Sequence, residues 1–217
     1  MKKIRILIAD DHKIVRAGVR CLAASVAEWE IVGEADNGRD AVALAEKLQP
    51  DVAILDMTMP GLNGLDATRQ IKKRSPGTEV LIFTGAENEA LIHDVFASGA
   101  RSYIVKSDQT DQLIEAIKAV ANHKHFFTSR IGEIVFARYK EGEKARDEAQ
   151  DKDRLSNRER EIVQLLAEGK SNKEVAGTLG ISVKTAETHR AAIMHKLGFK
   201  SFSELVRYAI RNKMIEA

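Results

Sequence analysis

Through the first 121 residues, short apolar runs alternate with stretches in which apolar residues recur every three or four positions. The runs are 4–9 (IRILIA), 30–35 (EIVGEA), 51–56 (DVAILD), 79–84 (EVLIFT) and 102–106 (SYIVK). Three of them are continuously apolar, the pattern of strands covered on both faces of a parallel sheet. Between the runs, Val15, Val19, Leu22 and Val26 fall at helical spacing, as do Ala41, Leu44, Ala45 and Leu48. Leu113, Ile117 and Val120 close the series. One side of each such helix is apolar and must be buried. Strand and helix in alternation predict an α/β domain, a doubly wound five-stranded parallel sheet with right-handed crossovers.

Beyond residue 121 the pattern changes. Residues 122–138 are mixed, with Ile131, Ile134 and Val135 offering one more helix. The stretch YKEGEKARDEAQDKDR (139–154) has 11 charged residues of 16 and cannot bury a face. It reads as a linker, helical in part through its charge pairs. From 155 onward the signals are those of short helices. Ser156 with Glu159 and Ser171 with Glu174 match capping boxes, and Ser182 is a third N-cap. Gly169, Gly180 and Gly198 stand where helices should stop. The predicted domains are therefore 1–121, a linker at 122–154, and an all-α domain of four helices at 155–217.

Composition narrows the class. A single cysteine, Cys21, excludes an internal disulfide framework, suits a reducing cytosol, and reads as a small core residue of the first helix. No segment approaches the roughly 20 apolar residues of a membrane span. The opening MKKIRILIADD reads as the first strand of a cytoplasmic protein, with no membrane partner. Charge is uneven: residues 1–124 carry 16 basic against 18 acidic side chains, whereas 155–217 carry 11 against 7. The basic excess at the C-terminal end points toward a polyanion.

Chemistry gathers where the strands end. In an open α/β sheet, ligands bind just beyond the C-terminal edge of the strands. Asp10 and Asp11 close the first strand, Asp56 the third, Thr84 the fourth and Lys106 the fifth. Three carboxylates, a hydroxyl and an ammonium are thus expected in one pocket. Crowded aspartates favour a hard divalent cation, and Mg²⁺ takes oxygen ligands and water. A carboxylate beside such an ion can attack phosphorus once the charge of the transferring group is neutralised. Asp56 is the expected phosphate acceptor, with Lys106 as counter-charge and Thr84 as hydrogen-bond donor. His12 reads as a solvent-facing helix start, and Met57 and Met59 as gap-filling apolar residues.

The segments ILIADDH, VAILDMTMPGLNG, LIFTG and SYIVK together resemble the flavodoxin-like receiver domain of bacterial two-component response regulators. The resemblance implies phosphotransfer from a sensor histidine kinase onto Asp56. It implies direct Mg²⁺ binding by Asp11, Asp56 and the backbone carbonyl of Thr58, with Asp10 acting through water. Thr84 and Tyr103 would be a switch pair that moves inward on phosphorylation.

The segment LSNREREIVQLLAEGKSNKEVAGTLGISVKTAETHRAAIMHKLGFKS resembles the LuxR-type helix-turn-helix, and the whole chain resembles the NarL/FixJ subfamily of transcription regulators. Helical-wheel spacing agrees: Ala186, Ile193 and Leu197 share one face, leaving Lys184, Glu187, Thr188, Ala191 and His195 on the other. A helix so exposed fits a major groove about 12 Å wide. Lys184, Glu187 and Thr188 are the expected base-edge or nearby phosphate contacts. Lys173, Thr185, Arg190 and Lys200 are the expected phosphate contacts. The reading is of a DNA-binding regulator and not an enzyme, homodimeric when phosphorylated and bound to half-sites in double-stranded DNA. Two alternatives stay open: a constitutive DNA-binding protein whose first domain only dimerises, and a Mg²⁺-dependent phosphohydrolase working through an aspartyl phosphate.

Overall fold

The computed structural model describes residues 3–85, 91–108, 110–142 and 155–216. The chain divides into two compact units, residues 1–144 and 145–217.

The first unit alternates strand and helix. It runs β1 (Ile4–Ala9), α1 (Lys13–Ala24), β2 (Trp29–Ala35), α2 (Gly38–Leu48), β3 (Val52–Leu55) and α3 (Gly64–Arg74). It continues with β4 (Glu79–Thr84), α4 (Ile92–Ala97), β5 (Ser102–Val105), α5 (Thr110–Ala121), β6 (Phe126–Phe127) and α6 (Ser129–Gly142). The strands lie in the order β2-β1-β3-β4-β5-β6, every neighbouring pair parallel. Alternate residues of a strand point to opposite faces, so each central strand feeds two cores. Ala53 and Leu55 of β3 join Leu7, Ile82 and Tyr103 in one core, packed with Ala41, Ala45, Leu65 and Ile71 of α2 and α3. Val52 and Ile54 join Ile6, Ile8, Leu81 and Ile104 in the other, packed with Val19 of α1 and Leu113, Ile117 and Val120 of α5. This is why the central runs lack polar alternation.

Two expectations need correction. The sheet has six strands among the described residues, not five, because Phe126 and Phe127 pair with Ser102 and Tyr103 of β5. Two residues are too few to display a period of two. Their aromatic rings supply the reason they lie there. Phe126 packs on the second core, and Phe127 meets Phe96 edge to face at 5.0 Å. Cys21, expected in the core, is exposed, because α1 turns Val19 and Ala23 inward instead. The charged stretch 139–154, expected as a linker helical in part, starts within α6, which continues to Gly142; residues 143–154 lie outside the described ones.

The second unit is helical: α7 (Asn157–Ala167), α8 (Asn172–Leu179), α9 (Val183–Lys196) and α10 (Phe202–Arg211). Each helix starts where its cap dictates. The capping boxes Ser156–Glu159 and Ser171–Glu174 both form, and the Thr185 N–H donates to Ser182 Oγ at 3.0 Å. Gly169, Gly180 and Gly198 end the first three helices at φ of 85°, 63° and 66°, the left-handed region open to glycine. Ile162, Leu166, Val175, Ala186, Ile193, Leu205 and Ala209 fill the core. An ion pair of 2.9 Å from Lys196 to Glu159 ties the end of α9 to the start of α7. No helix among the described residues is long and apolar enough to cross a membrane.

Candidate functional site

Strand register builds the acidic pocket. Ala9 of β1 stands opposite Leu55 of β3, so Asp10 and Asp56, one residue further on each strand, are neighbours. The Asp56 N–H donates to the Ala9 carbonyl at 2.8 Å and fixes that junction. Thr84 pairs with Val105 in the same way, and the Lys106 N–H donates to the Thr84 carbonyl at 2.7 Å. The sequence after Asp56 then has to turn tightly under the pocket. A Cβ at Gly64 would sit 2.1 Å from the Asp56 carbonyl oxygen, so only glycine lets α3 start so close beneath it. The Gly64 N–H closes the turn on the Met57 carbonyl at 2.8 Å, and Asn63 caps α3 through the Asp66 N–H. Met57 and Met59 fill the core beside it.

Within the pocket, one ammonium serves two buried acids. Lys106 Nζ lies 2.6 Å from Asp10 and 2.9 Å from Asp56, which are 2% and 3% exposed. The second oxygen of Asp56 accepts the Thr58 N–H at 3.1 Å. Burial pushes the Asp56 carboxyl up to about 6, with Asp10 adding to the rise, and Lys106 and the Thr58 N–H only partly offset it. Burial alone would lower the Lys106 ammonium, but its contacts with Asp10 and Asp56 hold it above its ordinary value. Asp11 is more exposed; it meets His12 Nδ1 at 2.8 Å, and Asp10, Asp11 and His12 offer ligand atoms within 4.8 Å of one another. Three carboxylates around a single ammonium leave a surplus of negative charge. All the donors are hard oxygens apart from the imidazole of His12. That set fits Mg²⁺ in charge and in chemistry.

The two residues expected to form a switch are both buried. Thr84 is buried at the end of β4, and the Tyr103 ring lies fully inside the core beneath it. In this structure the aromatic member of the pair already stands inward.

The second candidate site is α9. Ala186 and Ile193 are buried, whereas Lys184, Thr185, Glu187, Thr188 and Ala191 are exposed along its other side, and Lys173 and Lys200 are exposed nearby in sequence on α8 and after α9. Two hydroxyls are already engaged. Thr185 Oγ1 lies 2.8 Å from Ser182 Oγ, and Thr188 donates to the Lys184 carbonyl at 2.9 Å, which leaves its acceptor lone pairs and its methyl group outward. Arg190 is half-buried, its guanidinium 5.3 Å from the ring of Phe202.

Comparison with known proteins fits the two-domain organisation. Residues 6–118 match the family model of the response regulator receiver domain, and residues 153–209 match that of bacterial regulatory proteins of the luxR family. The oxygen regulatory protein NreC of Staphylococcus carnosus is 38% identical over 219 residues, covering 98% of this chain and all of that one. The chain belongs to the response regulator family. It is of the NarL/FixJ type, a receiver domain joined to a LuxR-type DNA-binding domain. Among solved structures, RcsB from Salmonella enterica serovar Typhimurium, bound to promoter rprA in the presence of phosphomimetic BeF3⁻, has a TM-score of 0.58 and 26% identity, covering 95% of this chain and 98% of that one. A structure of two RcsB dimers bound to two parallel DNAs has a TM-score of 0.59 and 26% identity, covering 97% and 99%.

The sequence reading of the regulator missed several supporting residues. Arg16 donates to the Asp10 carbonyl at 2.6 Å, and the Asp108 carboxylate accepts the Val105 N–H at 2.9 Å beside Lys106. Helical spacing from His12 could have placed Arg16; nothing in the sequence marks Asp108. At the other end of β4, Glu79 is also buried, with Lys72 at 2.9 Å, Arg101 at 2.8 Å and His123 at 2.8 Å. Burial would raise this carboxyl, yet its hydrogen bonds with Arg101, His123 and Lys72 and the charge of Lys72 hold it down at about 2.

Proposed function

We propose that Asp56 of this response regulator accepts a phosphoryl group from a sensor histidine kinase, and that the modification governs dimerisation and DNA binding by α9. The observation carrying the reading is the pair of buried acids, Asp10 and Asp56, that share the single ammonium of Lys106. In the transfer, an Asp56 oxygen attacks phosphorus while the bond from phosphorus to the donor imidazole nitrogen breaks. The electron pair leaves with that nitrogen. Asp10, Asp11, Asp56 and the Thr58 carbonyl would hold Mg²⁺, which when bound supplies charge neutralisation on the transferring group. Lys106 stays charged throughout and remains beside the oxygens that gain charge. Thr84, buried next to it, donates its hydroxyl to the phosphoryl group, and Tyr103 keeps to the interior beneath. The product is a stoichiometric aspartyl phosphate that acts as a signal in the cytoplasm, not a turnover intermediate.

For DNA, Glu187 accepts from a cytosine amino group and Thr188 presents its methyl to thymine, while Lys184 reaches base edges or the adjacent backbone. Lys173, Thr185, Arg190 and Lys200 meet phosphates; Thr185 can donate its hydroxyl proton outward while its oxygen accepts from Ser182. A two-fold dimer reads two half-sites. That RcsB dimers are DNA-bound in a similar structure supports the reading.

The test is mass spectrometry after incubation with acetyl phosphate and Mg²⁺. One phosphoryl group should appear on the wild type, mapped to Asp56, and none on Asp56→Asn. Full modification of Asp56→Asn would overturn the acceptor assignment.

A further inference from the structure

Phe202 is an exposed aromatic that the hydrophobic core does not use. It is 39% exposed, the first residue of α10, and absent from the cluster that fills the helical domain. Its position is nonetheless fixed. The Glu204 carboxylate accepts the Lys200 and Ser201 N–H groups at 2.6 and 3.2 Å, which locks the turn from which the ring projects. The guanidinium of Arg190, from the middle of α9, lies 5.3 Å from the ring centre. Among the described residues, no ion pair or hydrogen bond occupies the N–H groups of Arg190.

A guanidinium is planar, and its five N–H donors all point outward in that plane. An aromatic ring attracts the cation electrostatically without consuming a donor. Phe202 therefore restrains a long side chain and leaves its fork free. Arg otherwise loses much of its rotamer freedom when it is fixed against a ligand. We infer that Phe202 is a positioning residue that presents Arg190 to a DNA phosphate. The inference rests on the DNA-binding reading of α9. It adds a residue that does not itself touch the DNA.

The experiment measures the affinity of the full chain for a random-sequence DNA duplex by fluorescence anisotropy at low salt. Wild type is compared with Arg190→Ala, Phe202→Leu, Phe202→Trp and the Arg190→Ala/Phe202→Leu double variant. Phe202→Leu should weaken binding about two- to fivefold, the scale of an exposed cation–π contact. Phe202→Trp, with the stronger ring, should bind at least as tightly as wild type, and thermal melts should be alike for all. In the Arg190→Ala background, Phe202→Leu should have no further effect. A full loss from Phe202→Leu in that background, or wild-type binding by Phe202→Leu while Arg190→Ala is weakened, would overturn the positioning role. Wild-type binding by Arg190→Ala would instead overturn the DNA contact of Arg190, and the positioning role with it.

Discussion

Strand β4 begins and ends beside a buried carboxylate, and the two carboxylates are treated in opposite ways. Glu79, at its start, has the cations Lys72 and Arg101 and the imidazole of His123 to itself and is held down at about 2. Asp56, beside its end, shares one ammonium with Asp10 and is pushed up to about 6. Both side chains lie in the same sheet and are buried. Burial raises both carboxyls, more strongly at Asp56, and the two differ further in how many partners offset it. A carboxylate with a surplus of partners is part of the scaffold. One with a deficit is poorly compensated as it stands, and gains from whatever brings positive charge or removes negative charge. The N-terminal edge of the sheet holds the fold together, while the C-terminal edge keeps electrostatic tension for use.

The contrast is broken most severely at Lys106. Lys106→Met strands two buried acids and should cost about 3–5 kcal/mol in chelator at pH 8. The deficit should narrow as the pH falls and Asp56 protonates. Denaturant melts at falling pH measure both. Asp56→Asn should act in the opposite direction. Its folded value, about 6, lies above the ordinary 3.8, so the folded state binds the proton more tightly and loses stability as the pH rises through that window. Removing the charge should therefore stabilise the protein by up to about 3 kcal/mol at pH 8, with the gain fading toward pH 4. Loss of stability in Asp56→Asn at pH 8 would contradict the deficit. Glu79→Gln should destabilise by about 2 kcal/mol, a figure reduced for solvent screening around its partners. The Glu79 contribution is complete above its ordinary 4.5 and disappears as the pH falls through about 2. Melts of Glu79→Gln and wild type should converge only in strong acid.

The smallest effect on stability belongs to the exposed face of α9. Glu187→Gln should leave the melt within about 0.5 kcal/mol of wild type. In a selection from random duplexes it should change preference at one base pair per half-site, by roughly 1–3 kcal/mol. An unchanged motif would place Glu187 outside the base-reading set.

Much of this was legible in the sequence because burial writes strong patterns. The apolar runs that end in Asp10, Asp56, Thr84 and Lys106 announced both the sheet and its chemical edge, and Ser156, Ser171 and Ser182 announced the helices by their caps. The dipeptide β6 was not legible, since its place depends on Phe96 and β5 rather than on its own pattern. Glu79 was read only as the start of a strand, because Lys72, Arg101 and His123 come together on it through the fold. Phe202 escaped for the same reason: a lone aromatic after a glycine turn gives no sign of the arginine it faces. Exposure of Cys21 turned on the phase of α1, which a stripe with four spaced apolar residues fixes only loosely.

The central claim is that the charge deficit at Asp56 is coupled to what α9 does on DNA. It is tested most directly by titrating the full chain onto a duplex carrying its own selected motif, with and without beryllofluoride and Mg²⁺, for wild type and Asp56→Asn. Wild-type affinity should rise by about tenfold with the mimic, within the usual range of coupling between sites, and Asp56→Asn should not respond. Superimposable wild-type curves, or an equal response from Asp56→Asn, would contradict it.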